Sequence, residues 1–308
     1  MPTFGLVRSL YSRASAVRAL RRPLDAIRAH PRVRAYARRH VGVLLARGTT
    51  WANLDGALRL IAESPRRQVV FGPWRGNADL ELLYWAPFVR WAQQRFSLDP
   101  ARVAVVSRGG AGNWYGDAAG TYADADEVTD AMFPGATVFR PDPFLALVEE
   151  YRRGAAAPRP LLKRSRHGLL ARPDDPAGRG VPQAYVAVAL APTAAFPDSE
   201  ANHELAAALT GALAVSGPVV PLDPGDGLRA QQLLLRHATG VVAAYSGLAL
   251  LAAFSGIPVL ALRSADGDVA EPDLDLAQRI TIALGGSLTI LDAGDLDALS
   301  GALGGSVP

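Results

Sequence analysis

The chain has no cysteine, which removes disulfides, thiolate zinc sites and a cysteine nucleophile together. Lysine is almost as scarce: of 32 basic residues only Lys163 is one, a bias that GC-rich arginine codons explain without a functional reason. The five histidines (His30, His40, His167, His203 and His237) are dispersed and none forms a close H-x3-H pair, so no structural metal is expected. No run approaches the roughly 18 uninterrupted apolar residues of a membrane-spanning helix. The first twenty residues scatter their charges instead of placing a compact basic end before an apolar block, which is not the pattern of a secretory signal. The expectation is a cytoplasmic protein. At 308 residues, 49% hydrophobic and 20% charged, it reads as soluble and globular, with length for two domains.

The charge is uneven. Residues 1–50 carry eleven arginines against the single acid Asp25, a net +10, so the overall +3 leaves −7 for residues 51–308. Within this arm Leu6, Leu10, Val17, Leu20, Leu24 and Ile27 recur at helical spacing with arginines interleaved, and Pro23 and Pro31 divide or kink it. Two readings of 1–50 stand side by side. A basic amphipathic helix suits an anionic membrane surface, making the protein peripheral at the inner face of the cell membrane. A solvated helical extension packed on the body fits equally. Nucleic acid is not expected as a partner, because the rest of the chain is acidic and carries no recognition motif.

From Arg67 onward strands and helices alternate. Gln68–Gly72, Ala101–Ser107 and Ala136–Arg140 read as strands, with a helix over Asp79–Arg95, giving a parallel α/β domain over 51–150. Residues 151–183, rich in Arg, Pro and Gly, read as a linker or loop. Over 184–308 five strand-like runs follow (Ala184–Leu190, Pro218–Leu222, Gly240–Tyr245, Ile257–Leu262, Ser287–Leu291). Helical stretches separate them near Glu200–Val215, Leu228–His237, Leu248–Phe254 and Asp273–Leu284, and Leu296–Leu303 closes the chain. The fold class expected is α/β: two Rossmann-like, doubly wound domains with a cleft between them, preceded by the basic helical arm.

In open parallel sheets ligands sit beyond the carboxyl ends of the strands, where helix N-termini present free N–H groups. Ser246 and Gly247 occupy such a place. The serine hydroxyl is placed to cap the helix, and the glycine lets an anion approach the backbone. A serine cap with a glycine needed only for packing explains the pair equally well.

The run from Gly240 to Ser264, GVVAAYSGLALLAAFSGIPVLALRS, resembles the strand, turn and helix of the lipopolysaccharide heptosyltransferase-like group of GT-B glycosyltransferases, where the D-S/T-G-x-x-H-L-A-A element faces the nucleotide-sugar donor. Tyr245 stands where that group has an acid, and Ala249 and Leu250 where it has a histidine. In FGPWRGNADLELLYWAPFVRW, Phe71–Trp91, an acid precedes a proline by six residues, as in the same group. The resemblance therefore implies Glu81 as catalytic base, with Asp79 second; either acid also suits the first turn of a helix on dipole grounds. It further implies donor contacts from Ser246, Gly247 and Thr193, with Arg263 or Arg229 neutralising the diphosphate.

The turn SRGGAGNWYGD after the second strand offers Arg108, Gly109, Asn113, Trp114 and Tyr115 as an acceptor-side loop, combining charge, backbone freedom and stacking faces. Asp275 could meet a sugar hydroxyl but reads better as a solvated first-turn residue. The expected reaction is metal-independent transfer from a nucleotide diphosphate sugar to a hydroxyl acceptor such as a glycan or envelope precursor. It needs no cofactor and no Asp-x-Asp metal element. Two alternatives remain: a nucleotide-sugar epimerase of the same fold, and a non-catalytic membrane-surface or partner-binding protein.

Overall fold

The computed structural model describes residues 51–63, 67–128, 132–154, 170, 182, 184–223 and 225–295. The arm over 1–50, most of the 151–183 connection and the closing helix expected at Leu296–Leu303 lie outside the described residues.

The first half contains α1 (Trp51–Ala62), β1 (Val69–Phe71), β2 (Val103–Ser107), β3 (Thr121–Asp124), β4 (Thr137–Phe139) and α3 (Asp142–Arg152). Between β1 and β2 runs a continuous helical stretch, α2, made of Ala78–Leu80, a π-helical turn at Glu81–Trp85, and Ala86–Arg95. The strands are all parallel in the order β3-β2-β1-β4, with Val69 opposite both Val103 and Thr137. β1, β2 and β4 lie where the apolar runs placed them. The edge strand β3 was not expected, because TYAD is short and partly exposed and carries no apolar run to mark it.

The second half contains β5 (Tyr185–Ala189), α4 (Glu200–Ser216), β6 (Val219–Pro221), α5 (Leu228–Leu235), β7 (Ala238–Ala244), α6 (Gly247–Phe254), β8 (Val259–Arg263), α7 (Glu271–Ala283) and β9 (Leu288–Asp292). Its strands are parallel in the order β6-β5-β7-β8-β9. Every strand and helix expected over 184–284 forms within a few residues. α4 begins at Ser199, whose Oγ accepts from the Asn202 amide at 3.3 Å, a serine N-cap.

The two sheets are covered differently. In the second sheet, α4 packs on one face through Val188, Phe196, Leu209, Val242 and Leu262, and α6 and α7 pack on the other. In the first sheet, among the described residues, helices cover one face. Its other face, built on Val70, Ala104 and Val106, is covered by Ala125, Val128, Phe133 and Ala136 from a connecting segment. The remaining core is continuous between the halves, running from Trp85, Phe88, Phe139 and Phe144 to Tyr245, Ala249, Leu250 and Leu274. Phe88 stacks on Phe144 at 4.3 Å and on Trp85 at 5.4 Å. This apolar core is shared by the two halves.

Both sheets reverse their strand order once, the first between β1 and β4 and the second between β5 and β7. These reversals leave crevices at the carboxyl ends of the strands.

Candidate functional site

The carboxyl ends of the two sheets meet. Gly247, the first residue of α6, lies so close to α2 that a methyl group on it would collide with Ala78 Cβ and come within 2.9 Å of Asp79 N. Gly110, in the loop after β2, is left-handed (φ 88°), and a methyl there would stand 3.0 Å from Arg229 N at the start of α5. Gln232 of α5 donates to Gly110 O at 3.1 Å and to Asn113 Oδ1 at 3.4 Å. These glycines are places where two backbones approach, one from each half.

On the second-half side, Ser246 is extended and its Oγ donates to Ala244 O at 3.1 Å, so it does not cap α6 as expected. The N-terminus of α6 has no side-chain cap. Thr193 Oγ1 donates to Tyr245 O at 3.2 Å and accepts from the Phe196 amide at 3.1 Å, tying the loop after β5 to the end of β7 across the sheet's crevice. Both hydroxyls of the expected donor set thus organise backbone here. Arg263 pairs with Glu271 at 2.5 Å, and Arg229 is exposed.

On the first-half side, the π-helical turn is closed by Ala86 N donating to Glu81 O, an i→i+5 bond, and all five of its residues are buried. Glu81 is 0% exposed. Its Oε1 accepts from Ser107 Oγ and from Tyr115 OH at 2.5 Å, and its Oε2 accepts from Arg108 Nε at 2.9 Å. Burial pushes its pKa up, against the opposing pull of those three donors. The residue chosen from sequence as base is therefore enclosed and fully hydrogen-bonded. Asp79, the second choice, is half-buried and adjoins Gly247.

The expected acceptor loop divides in two. Trp114 and Tyr115 are each 1% exposed, so neither offers a stacking face to a sugar. Short 3-10 turns at Gly112–Trp114 and Gly116–Ala118 turn them inward, and Arg90 of α2 fixes them by donating to Trp114 O at 2.6 Å and Tyr115 O at 3.3 Å. Arg108, Gly109 and Asn113 keep some exposure. A methyl on Gly109 would collide with Asp124 Oδ2.

A second polar cluster escaped the sequence reading. Asp273, in the first turn of α7, is buried, and its Oδ1 accepts from Tyr84 OH while Oδ2 accepts from Arg152 Nε at 2.9 Å. Burial raises the Asp273 pKa against the pull of Tyr84 and Arg152, and burial also raises those of Tyr84 and Tyr245. The Tyr245 hydroxyl is buried and meets no hydrogen-bond partner among the described residues. Asp275, two residues along the helix, points outward to Arg279 at 2.7 Å, as its solvated reading expected. The signal for Asp273 was helix geometry: residues two apart on a helix face nearly opposite ways, so one of the pair had to point inward.

Asp-x-Asp pairs do occur, at Asp124/Asp126, Asp266/Asp268, Asp273/Asp275 and Asp295/Asp297. Among the described residues, however, no group of three or more His, Cys, Asp or Glu is arranged to hold a metal ion. No described helix is long and apolar enough to cross a membrane.

No protein-family model and no curated protein matches the chain. Among solved structures it is similar to the iron-containing dodecameric glycosyltransferase TibC from enterotoxigenic E. coli H10407, at 17% identity and a TM-score of 0.39. It is also similar to the dodecameric iron-containing heptosyltransferase TibC in complex with ADP-D-beta-D-heptose, at 18% identity and a TM-score of 0.38. Each similarity covers 64% of this chain and 58% of the TibC chain.

Proposed function

We propose that this seam transfers a sugar from a nucleotide diphosphate sugar to the hydroxyl of a glycan or related acceptor. The observation supporting it is the juxtaposition at Gly247, where α6 starts at the crevice between β5 and β7 without a side-chain cap and adjoins the half-buried acid Asp79. The helix end favours a phosphate through its N–H groups and dipole, and stabilises the departing diphosphate. Asp79 is the acid with access, and it takes the acceptor proton as the hydroxyl attacks the anomeric carbon. Glu81 has no such access. Proton transfer by a positioned side chain contributes about 10²–10⁴-fold to rate. Asp79→Asn therefore lowers release of nucleoside diphosphate from sugar nucleotide and acceptor by about that factor while leaving donor binding in place. A variant that turns over at the wild-type rate removes Asp79 from the role. An epimerase would convert the sugar nucleotide with little release of nucleoside diphosphate.

The close approach of the halves at Gly247–Ala78 and Gly110–Arg229 favours a second reading, a non-catalytic partner-binding protein on the same scaffold. That reading predicts that no sugar nucleotide is bound or turned over.

A further inference from the structure

Residues 1–50 lead into the described fold at Trp51, the first residue of α1. Trp51 packs against Trp91 of α2 with ring centroids 5.4 Å apart, and Trp91 meets Phe96 edge-on at 5.8 Å. The Arg95 guanidinium lies over the Phe96 ring, 5.4 Å from its centroid. Trp91, the middle of this row, belongs to the core, whereas Trp51 and Phe96 at its ends are half-buried and Arg95 is exposed. The other four tryptophans, Trp74, Trp85, Trp91 and Trp114, are each at most 5% exposed, so Trp51 is the one that reaches the surface. Half-buried rings beside an arginine suit a lipid headgroup layer, where aromatic side chains sit between hydrocarbon and water.

The chain that leads into Trp51 has matching chemistry. Residues 1–50 set eleven arginines against one acid, while residues 51–308 carry a net −7, and the apolar residues of the arm fall at the spacing of one helical face. For so basic a segment to dock on the protein's own surface, carboxylates near its entry point would have to be free. Asp55, one turn from Trp51, pairs with Arg59 at 3.0 Å, and Asp99, three residues after Phe96, accepts from the Ala101 amide at 3.0 Å. We infer that residues 1–50 and the row from Trp51 to Phe96 form one surface that binds an anionic phospholipid membrane. The arginines supply the attraction to lipid phosphates, about fivefold in affinity for each basic residue near the membrane. The apolar residues of the arm and the half-buried rings supply the apolar area that enters the headgroup layer. This inference does not rest on the transferase reading, which concerns the seam.

The test is co-sedimentation of the full chain with vesicles of equal parts phosphatidylglycerol and phosphatidylcholine, and with phosphatidylcholine alone. The protein sediments with the anionic vesicles, stays behind with the neutral ones, and is released as salt rises. Arg8→Gln, Arg18→Gln, Arg22→Gln and Arg28→Gln combined weaken binding by about tenfold or more. Arg279→Gln, on α7 of the second half, leaves binding unchanged. Lipids brominated near the headgroup quench the tryptophan emission of bound protein, and Trp51→Phe removes most of that quenching while the protein still sediments. If Trp51→Phe does not fold, Phe96→Trp replaces it as the reporter, placing a new emitter at the other end of the row and raising the quenched fraction. Absent sedimentation with anionic vesicles, or wild-type binding by the four-arginine variant, overturns the proposal. Quenching that persists in Trp51→Phe, or that Phe96→Trp leaves unchanged, overturns it as well, because the aromatic row would then face away from lipid. A wild type that ignores vesicles, with a lower melting temperature in the four-arginine variant, would place the arm on the protein's own surface instead.

Discussion

Two carboxylates are buried around the π-helical turn of α2, each held by a tyrosine and an arginine: Glu81 by Tyr115 and Arg108, Asp273 by Tyr84 and Arg152. Both clusters draw on the same π-helical turn, which supplies Glu81 to one and Tyr84 to the other. All partners of Glu81 belong to the first half, at the end of β2 and the loop that follows it. Asp273 belongs to the second half and is held by two residues of the first. Two sites of similar chemistry thus do different work: one fixes a surface arginine within a half, the other joins the halves. Substitutions should separate them, since loss of Asp273 acts on cohesion and loss of Glu81 on a loop.

The largest effect is expected at Asp273. Asp273→Ala leaves the buried Tyr84 hydroxyl without its acceptor and costs about 3 kcal/mol, the order observed when one partner of a buried pair is removed. Because the lost bonds cross the seam, urea unfolding should also broaden or split into two steps; an unchanged single transition would show that Asp273 does not join the halves. Gly247→Ala comes next, at about 1–3 kcal/mol, because the new methyl meets Ala78 and the Asp79 backbone in a packed contact. A variant as stable as the wild type would mean that the seam yields there.

Glu81 shows itself mainly through pH. Its folded-state pKa lies above its ordinary 4.5, so the folded protein binds the proton more tightly than the unfolded chain. That contribution is complete below pH 4.5 and is lost as pH rises through the raised value. Glu81→Gln should therefore flatten the decline of stability with rising pH, measured by urea unfolding between about pH 4 and about pH 8, and leave the share due to Asp273. An unaltered slope would contradict the burial of an ionisable group at this position. The smallest effect is expected at Asp275, whose exposed pair with Arg279 contributes within about 0.5 kcal/mol. A loss as large as that of Asp273→Ala would mean that the two acids of α7 have exchanged roles.

The second half was legible in the sequence because its strands are apolar runs separated by helices of ordinary length, and each run ended near where its strand ends. β3 was not, since an edge strand of four residues with a half-exposed Tyr122 carries no periodic signal. The position of Ser246 and Gly247 at a strand end was readable from composition alone. What Gly247 touches was not, because Ala78 lies far from it in the chain and only the packing of α2 on α6 brings them together. Burial was the property hidden most completely. Trp114 and Tyr115 look like residues of an open loop and Glu81 like a first-turn residue at a cleft, and the π-helical turn and the two 3-10 turns direct them inward.

The most direct test of a nucleotide site at the seam is the melting temperature of the full chain with UDP, GDP, ADP, dTDP or CDP, each with and without magnesium. Ligand at about 100 times its dissociation constant adds roughly 2.7 kcal/mol of stability, which shifts the transition visibly. One nucleotide should stabilise the protein, magnesium should make no difference, and Gly247→Ala should abolish the response. An unchanged melting temperature with all five nucleotides would contradict a nucleotide site there.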